Sequence, residues 1–320
     1  MKKVFLLGLG IFCLVLAFGP GAQGAEYPTR NIELVCPYGA GGSTSMGARI
    51  IAGTLSEMLG RTVVVNNKPG AGGSIGAEYV AKAKPDGYTL YFGSNATMVF
   101  IPLTQKGIGY SPEDFTPICN LTLAPNLLCV KDDSPYKTLN DFIQAAKTKK
   151  MKYSTYGVNS GPNILMEAFG KAAGFKATHI PYPGAGPAYT ACLGGHVDMA
   201  ISTGTGGMVG PGRLRILAVT SSERYDLQPN IPTLKELGYD IVVPVLFYLW
   251  APKDTPKDRI EKISSVYRKA TEEGKEEIRK NLANIEHSLH FLDTMELTKV
   301  AQNEYLTMKK MVEELGIVAK

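Results

Sequence analysis

Ile32-Glu33-Leu34-Val35-Cys36-Pro37-Tyr38-Gly39-Ala40-Gly41-Gly42-Ser43-Thr44-Ser45 reads as a strand, a glycine-opened turn and the approach to a helix. Ile32 to Cys36 is a short β-like run. From Met46 to Leu59, the residues Met46, Ile50, Leu55 and Met58 recur at roughly helical spacing until Gly60 stops them. A strand feeding a helix through a short loop is the building unit of α/β architecture.

Working outward, the unit repeats. Thr62 to Asn66 is a strand, Ser74 to Lys82 a helix, and Pro85-Asp86-Gly87 turns the chain into the strand Tyr88 to Phe92. Phe115 to Val130 is extended and apolar, broken by Pro117 and Pro125, and reads as a crossing. A second block then starts, with Thr138 and Asp141 forming a capping box for the helix Leu139 to Lys147. The strands Met151 to Thr155, Ala177 to Ile180 and Val197 to Ile201 alternate with the helices Pro162 to Ala173 and Pro187 to Leu193. Ile241 to Trp250 is the return crossing. Charged amphipathic helices follow over Pro256 to Glu273, Glu276 to Asn284, and from a cap at Asp293 with Glu296 to near Leu315.

Four loops share one design: Tyr38 to Ser45, Gly70-Ala71-Gly72-Gly73-Ser74, Thr155-Tyr156-Gly157-Val158-Asn159-Ser160 and Tyr182-Pro183-Gly184-Ala185-Gly186. Glycine lets main chain approach a ligand, and a helix start offers unpaired N–H groups with a partial positive charge. One such loop is ordinarily a turn; four in one chain point to an anion-binding cleft. Nucleotide motifs do not fit them. No loop ends in the Gly-Lys-Ser/Thr of a P-loop, and the last glycine of Gly70 to Gly76 falls one residue late for a dinucleotide fingerprint.

The amino-terminus predicts export. Lys2 and Lys3 precede an apolar run from Val4 to Phe18 and then Gly19-Pro20, which is the pattern of a signal peptide over residues 1–24. Ala22 and Gly24 suit cleavage after Gly24, and cleavage after Ala25 is compatible too. The run is short for a membrane span. Loss of Lys2 and Lys3 lowers the formal charge of +5 by two, and no Lys/Arg run beyond the leader exceeds two residues. A nucleic-acid partner therefore has no electrostatic footprint. The length of 320 residues suggests two lobes. Cys36, Cys119, Cys129 and Cys192 match no metal or redox spacing. They allow either a Cys119–Cys129 bridge or four separate buried thiols.

Catalytic patterns are missing. His287-x-x-His290 lacks the glutamate of a zincin and reads as two exposed positions. Gly157-Val158-Asn159-Ser160-Gly161 has its serine one place late for a nucleophile elbow. Asp198 reads as a residue that orients backbone, and Trp250 as a packing residue. No catalytic residue, metal or cofactor is expected.

At these loops the chain resembles the substrate-binding proteins of tripartite tricarboxylate transporters, the TctC or Bug receptors. The resemblance runs through Pro37 to Thr44, Asn67-Lys68-Pro69-Gly70-Ala71-Gly72-Gly73, Pro85-Asp86-Gly87-Tyr88-Thr89-Leu90, Phe115-Thr116-Pro117-Ile118, His179 to Ala188, Leu193-Gly194-Gly195-His196-Val197-Asp198 and Ile231 to Tyr239. It implies a type II periplasmic-binding-protein fold, with residues 25–124 and 249–320 in the first lobe and 125–248 in the second. It also implies a periplasmic monomer that binds a small organic anion, a carboxylate, and passes it to membrane permease subunits. The ligand-binding positions expected on this basis and from the loops are Tyr38, Gly39, Ala40, Gly41, Gly42, Ser43, Thr44, Ser45, Tyr156, Ser160, Tyr182, Gly184 and Ala185.

Three departures stand out from the pattern of that family. Ser45 replaces a usual Asp, Ser154 and Asn159 replace glycines, and Tyr248 stands for a glycine. The loss of the Asp charge is expected to favour multiply charged acids over amino-bearing ligands. The competing reading is a secreted enzyme acting on a small organic acid.

Overall fold

A computed structural model describes residues 26–40, 43–158, 160–182, 184–205 and 207–317. The leader expected over residues 1–24, and Gly41, Gly42, Asn159 and Pro183 of the glycine loops, lie outside the described residues. Along the chain run β1 (Ile32–Cys36), α1 (Ser43–Leu59), β2 (Val63–Asn67), α2 (Ser74–Ala81) and β3 (Thr89–Ser94), then a π-turn at Ala96–Phe100 that continues into α3 (Ile101–Thr104). β4 (Phe115–Pro125) passes almost directly into β5 (Leu127–Lys131). α4 (Leu139–Thr148), β6 (Met151–Thr155), α5 (Gly161–Ala173), β7 (Ala177–Pro181), α6 (Ala185–Leu193), β8 (Met199–Ser202) and β9 (Leu214–Val219) follow. The chain ends with β10 (Pro244–Pro252), α7 (Lys257–Glu273), α8 (Lys275–Ala283), β11 (Ser288–Leu292) and α9 (Thr294–Glu314).

The strands form two sheets, ordered β11-β4-β10-β3-β1-β2 and β7-β6-β8-β5-β9. β1 is parallel to β2 and β3, and β6 is parallel to β7 and β8, so the loops after β1, β6 and β7 leave from the carboxyl ends of parallel strands. That is where open α/β sheets bind ligands. β10 pairs antiparallel with β4 over its whole length from Pro244, and with β3 over Phe247 to Trp250. Each sheet carries an apolar core on both faces. Leu34, Ile51, Phe92 and Phe247 lie in one, Tyr91, Phe115 and Trp250 in another, Phe142, Phe169 and Met199 in a third, and Tyr189, Cys192 and Ile216 in a fourth.

The two sheets are joined at Asn126 and at Val243–Pro244, and Thr220 links the two connections. The Asn126 N–H and the Thr220 N–H bond reciprocally with Thr220 Oγ1 (3.2 Å) and the Asn126 carbonyl (3.2 Å), while Thr220 Oγ1 donates to the Val243 carbonyl at 2.8 Å. α9 reaches across this junction. Its Leu297 is buried in the first-sheet core with Trp250, and its Met308 and Val312 are buried in the second-sheet core with Phe169.

Local chemistry sets the helix ends. The Thr138 N–H donates to the Asp141 carboxylate (2.8 Å) and the Asp141 N–H returns to Thr138 Oγ1 (3.2 Å). Asp293 and Glu296 form the equivalent box at α9. Asp198 orients backbone, accepting from the Lys152 N–H at 2.8 Å. Trp250 is buried edge-on to Phe115, ring centroids 6.2 Å apart.

Several expectations are corrected. α1 begins three residues early, at Ser43. β9 and β11 were not expected as strands. His287 is not exposed: it is 1 % accessible, its ring lies 4.3 Å from that of Phe247, and burial lowers its pKa to about 4. His290 alone of that pair faces solvent. Of the two readings open for the cysteines, the separate thiols hold: Cys36, Cys119, Cys129 and Cys192 are all free and buried.

Candidate ligand cleft

The first wall is the turn between β1 and α1. Asn67, at the end of β2, holds it from beneath: one amide nitrogen donates to the Tyr38 carbonyl (2.7 Å) and to Ser45 Oγ (2.9 Å). Ser45 is fully buried, so it braces the turn from below. Gly39 and Ala40 are exposed at the rim, and Ser43 and Thr44 are half-buried at the start of α1. The Tyr38 hydroxyl shares a 3.4 Å hydrogen bond with Ser94 Oγ at the end of β3. The second glycine loop supports this wall. Gly73 has φ +108°, and a Cβ there would fall 2.6 Å from Thr97 and 3.3 Å from Pro37, so a bare backbone lets α2 close up behind the turn.

The second wall is built on Thr155, the last residue of β6. Its hydroxyl oxygen accepts from the Gly157 N–H (3.2 Å) and lies 3.3 Å from Ser160 Oγ and 2.8 Å from His179 Nε2. Ser160 Oγ donates to the Gly157 carbonyl at 2.7 Å, closing the loop before α5. The Tyr182 N–H donates to the Thr155 carbonyl at 2.9 Å, which ties the loop after β7 to the loop after β6. Gly184 has φ +150°, a backbone that L side chains rarely adopt, immediately before α6. Ser154 is fully buried and donates to the Ala188 carbonyl at 2.9 Å, drawing α6 onto β6. Burial lowers the His179 pKa, with Glu167 opposing the shift, which favours the neutral ring; it stacks on Tyr153 at 5.0 Å.

The walls face each other. Burial raises the Tyr156 hydroxyl pKa, and nearby Tyr38 adds to the rise. Burial also raises Tyr38, against the bond to Ser94. Both phenols stay protonated and can donate. A Cβ placed on Gly204, beyond β8, would come within 3.6 Å of Ser43 Oγ, and one on Gly161 within 3.1 Å of the Phe100 ring. Among the described residues of the turns after β1, β6 and β7, no side chain is charged. What remains is hydroxyls, peptide N–H groups and the amino-terminal ends of α1, α5 and α6, which suit an anion.

Of the residues expected at the site, the structure brings Tyr38 and Ser43 opposite the second wall. It gathers Tyr156, Ser160 and Tyr182 around Thr155, with Gly184 and Ala185 at the start of α6. Thr155, His179, Ser94 and Gly204 were not singled out from sequence. The readable signal for Thr155 is its place as the last strand residue before a glycine loop. A surface groove of about 670 Å³ lined by Arg30, Glu78 and Lys82 is a separate feature. It lies at the amino ends of β1 and β3, opposite the cleft, and two ion pairs form within it, Arg30 with Asp86 at 3.0 Å and Lys82 with Glu78 at 2.5 Å. Among the described residues no group of three His, Cys, Asp or Glu side chains is placed to hold a metal.

Residues 47–317 match the model of the tripartite tricarboxylate transporter family receptor. The chain belongs to this receptor family. It is 34% identical to the protein in the gbd 5' region of Cupriavidus necator, over 99% of this chain and 98% of that one. Two solved structures share the two-lobed fold at substantial coverage. An R. palustris protein solved with adipate is 29% identical, with TM-score 0.82, covering 92% of this chain and 100% of its own. MatC from Rhodopseudomonas palustris, with bound malate, is 26% identical, with TM-score 0.76, covering 89% and 100%. Within the receptor family, then, this chain has the architecture of proteins solved with small dicarboxylates in place.

Proposed function

We propose that this receptor captures a small carboxylate, of the dicarboxylate class, between its two lobes in the periplasm and hands it unchanged to the membrane permease subunits of a tripartite transporter. The observation that carries the reading is the pair of uncharged, hydroxyl-rich walls brought together where Gly204 meets Ser43, with Tyr38 and Tyr156 close enough to interact across them. The relatives solved with adipate and malate supply the ligand class.

Magnitudes favour enclosure. One helix terminus contributes about 0.3–1 kcal/mol toward an anion, whereas micromolar affinity needs roughly 8 kcal/mol. Charge-assisted hydrogen bonds of about 1.5–3 kcal/mol each, given from both walls of a dry cleft, reach that range. Export rests on the amino-terminal leader. Among the described residues no helix is long and apolar enough to cross a membrane.

The test is calorimetry and thermal shift on protein freed of bound small molecules, with a panel of mono-, di- and tricarboxylates, followed by mass spectrometry of the recovered acid. Binding should raise the melting temperature and return the acid intact; ligand at 100 times Kd stabilises by about 2.7 kcal/mol. Chemical conversion of the acid, or no response to any member of the panel, sinks the reading.

A further inference from the structure

Glu286 sits between α8 and β11, on the first-sheet side of the molecule, yet its carboxylate is occupied by the second lobe. The Thr205 N–H donates to one oxygen; Thr205 Oγ1 at 2.7 Å and the Gly207 N–H at 3.0 Å donate to the other. Thr205 and Gly207 belong to the segment between β8 and β9. The Glu286 carbonyl is also held, by the hydroxyl of Tyr225 from the second-lobe core at 2.7 Å.

Nothing local recommends a glutamate at this position. The His287 N–H bonds to the Leu282 carbonyl and the Glu286 N–H to the Ala283 carbonyl, both at 3.0 Å, which is the closure of a Schellman motif at the end of α8. Glu286 is the left-handed residue of that motif, with φ +57°, where glycine is the usual occupant. A carboxylate is also disfavoured at the carboxyl end of a helix. Both local preferences are overridden, and the contact that answers them is the set of three donors from across the lobes.

The position ties this contact to the cleft. Gly204, next to Thr205, lies against Ser43 at the start of α1, and Ile285, next to Glu286, reaches to 3.6 Å from a Cβ placed on Gly47 of the same helix. We infer that Glu286 is an interlobe clasp, a positioning residue whose carboxylate holds Thr205 and Gly207 of the second lobe against the first lobe and so favours the closed cleft. The inference rests on the reading of the cleft as one that closes on its ligand. Without the clasp, the energy of ligand contacts must also draw the lobes together.

The test uses Glu286→Gly and Glu286→Gln. Glycine suits the left-handed backbone, so E286G keeps the helix end while deleting the carboxylate; E286Q keeps the shape but points an amide N–H at one of the donors. Ligand-free scattering should show a larger radius of gyration for both variants than for the unaltered protein. Amide exchange at Gly207 should quicken, and adipate should bind on the order of tenfold more weakly through faster release. Folding is checked by circular dichroism. An unchanged radius of gyration and unchanged Gly207 exchange in folded E286G, or tighter adipate binding, overturns the clasp. If no acid binds the unaltered protein, it is the carboxylate-receptor reading that fails, and scattering and exchange still decide for or against the clasp.

Discussion

The Tyr248 hydroxyl donates to the carboxylate of Glu304, joining the central strand β10 of the first sheet to the helix that crosses the junction. Asn95 Nδ2 donates to the same carboxylate at 3.1 Å and to the Pro244 carbonyl at 2.9 Å. Burial nevertheless dominates, and raises the Glu304 pKa from 4.5 to about 7 against the pull of both donors.

A carboxyl whose pKa is higher folded than unfolded binds more protons in the native state between the two values, so native stability falls as pH rises through that window. We expect the Glu304 contribution to be lost progressively from about pH 4.5 to about pH 7, by roughly 3 kcal/mol in all. Glu304→Gln should flatten this slope in denaturant titrations run at several pH values. An identical slope in both proteins would refute it.

Tyr156→Phe and Tyr38→Phe each remove a protonated phenol from one wall and leave the ring. Each should weaken dicarboxylate binding by on the order of tenfold, with little change in ligand-free melting temperature. Calorimetry and thermal denaturation of the same samples check both halves.

Gly184→Val places a β-branched residue at φ +150°, where a Cβ would meet Pro187 Cδ at an ordinary 3.7 Å but the backbone is not available to it. Loss of about 1–3 kcal/mol of stability is expected, with acid binding weakened beyond the Tyr variants because the start of α6 must shift. A variant that melts and binds like the unaltered protein argues against this loop as part of the cleft.

Ser45→Asp introduces a carboxylate into a fully buried position bonded, among the described residues, to the Asn67 amide. Destabilisation of about 1–3 kcal/mol and weaker di- and tricarboxylate binding should follow. Calorimetry finding such acids bound as well or better would remove the argument that Ser45 favours multiply charged ligands.

Burial pushes the Cys36 thiol up to about 11 and Cys192 to about 12, and raises Cys119 and Cys129 as well. At pH 8 only about a thousandth of Cys36 is ionised. Native protein should react very slowly with a thiol reagent, reduction should leave the melting temperature unchanged, and denaturant should release all four thiols at once.

Elements defined by their own residues were legible in the sequence. The boxes at Thr138–Asp141 and Asp293–Glu296 marked their helices because both partners lie within one turn. β9 and β11 escaped because they are defined by pairing: β11 is half-exposed and exists as the edge partner of β4, and β9 as that of β5. His287 was misread for the same reason, since the ring that covers it, Phe247, lies on β10, far away in sequence. At the site, glycine loops and tyrosines could be read off directly. Thr155, His179 and Glu286 could not, because their roles depend on neighbours 24 to 81 residues away.

The order β11-β4-β10-β3-β1-β2 also dictates a sequence of assembly. The sheet β7-β6-β8-β5-β9 is drawn from one uninterrupted stretch and can nucleate alone, whereas β3 and β4 flank a vacant position until β10 arrives, and the outer side of β4 stays open until β11 does. The half of the molecule that begins first is therefore the half completed last. Its slow, long-range pairing is the step at which a newly made chain is most open to proteases and to aggregation.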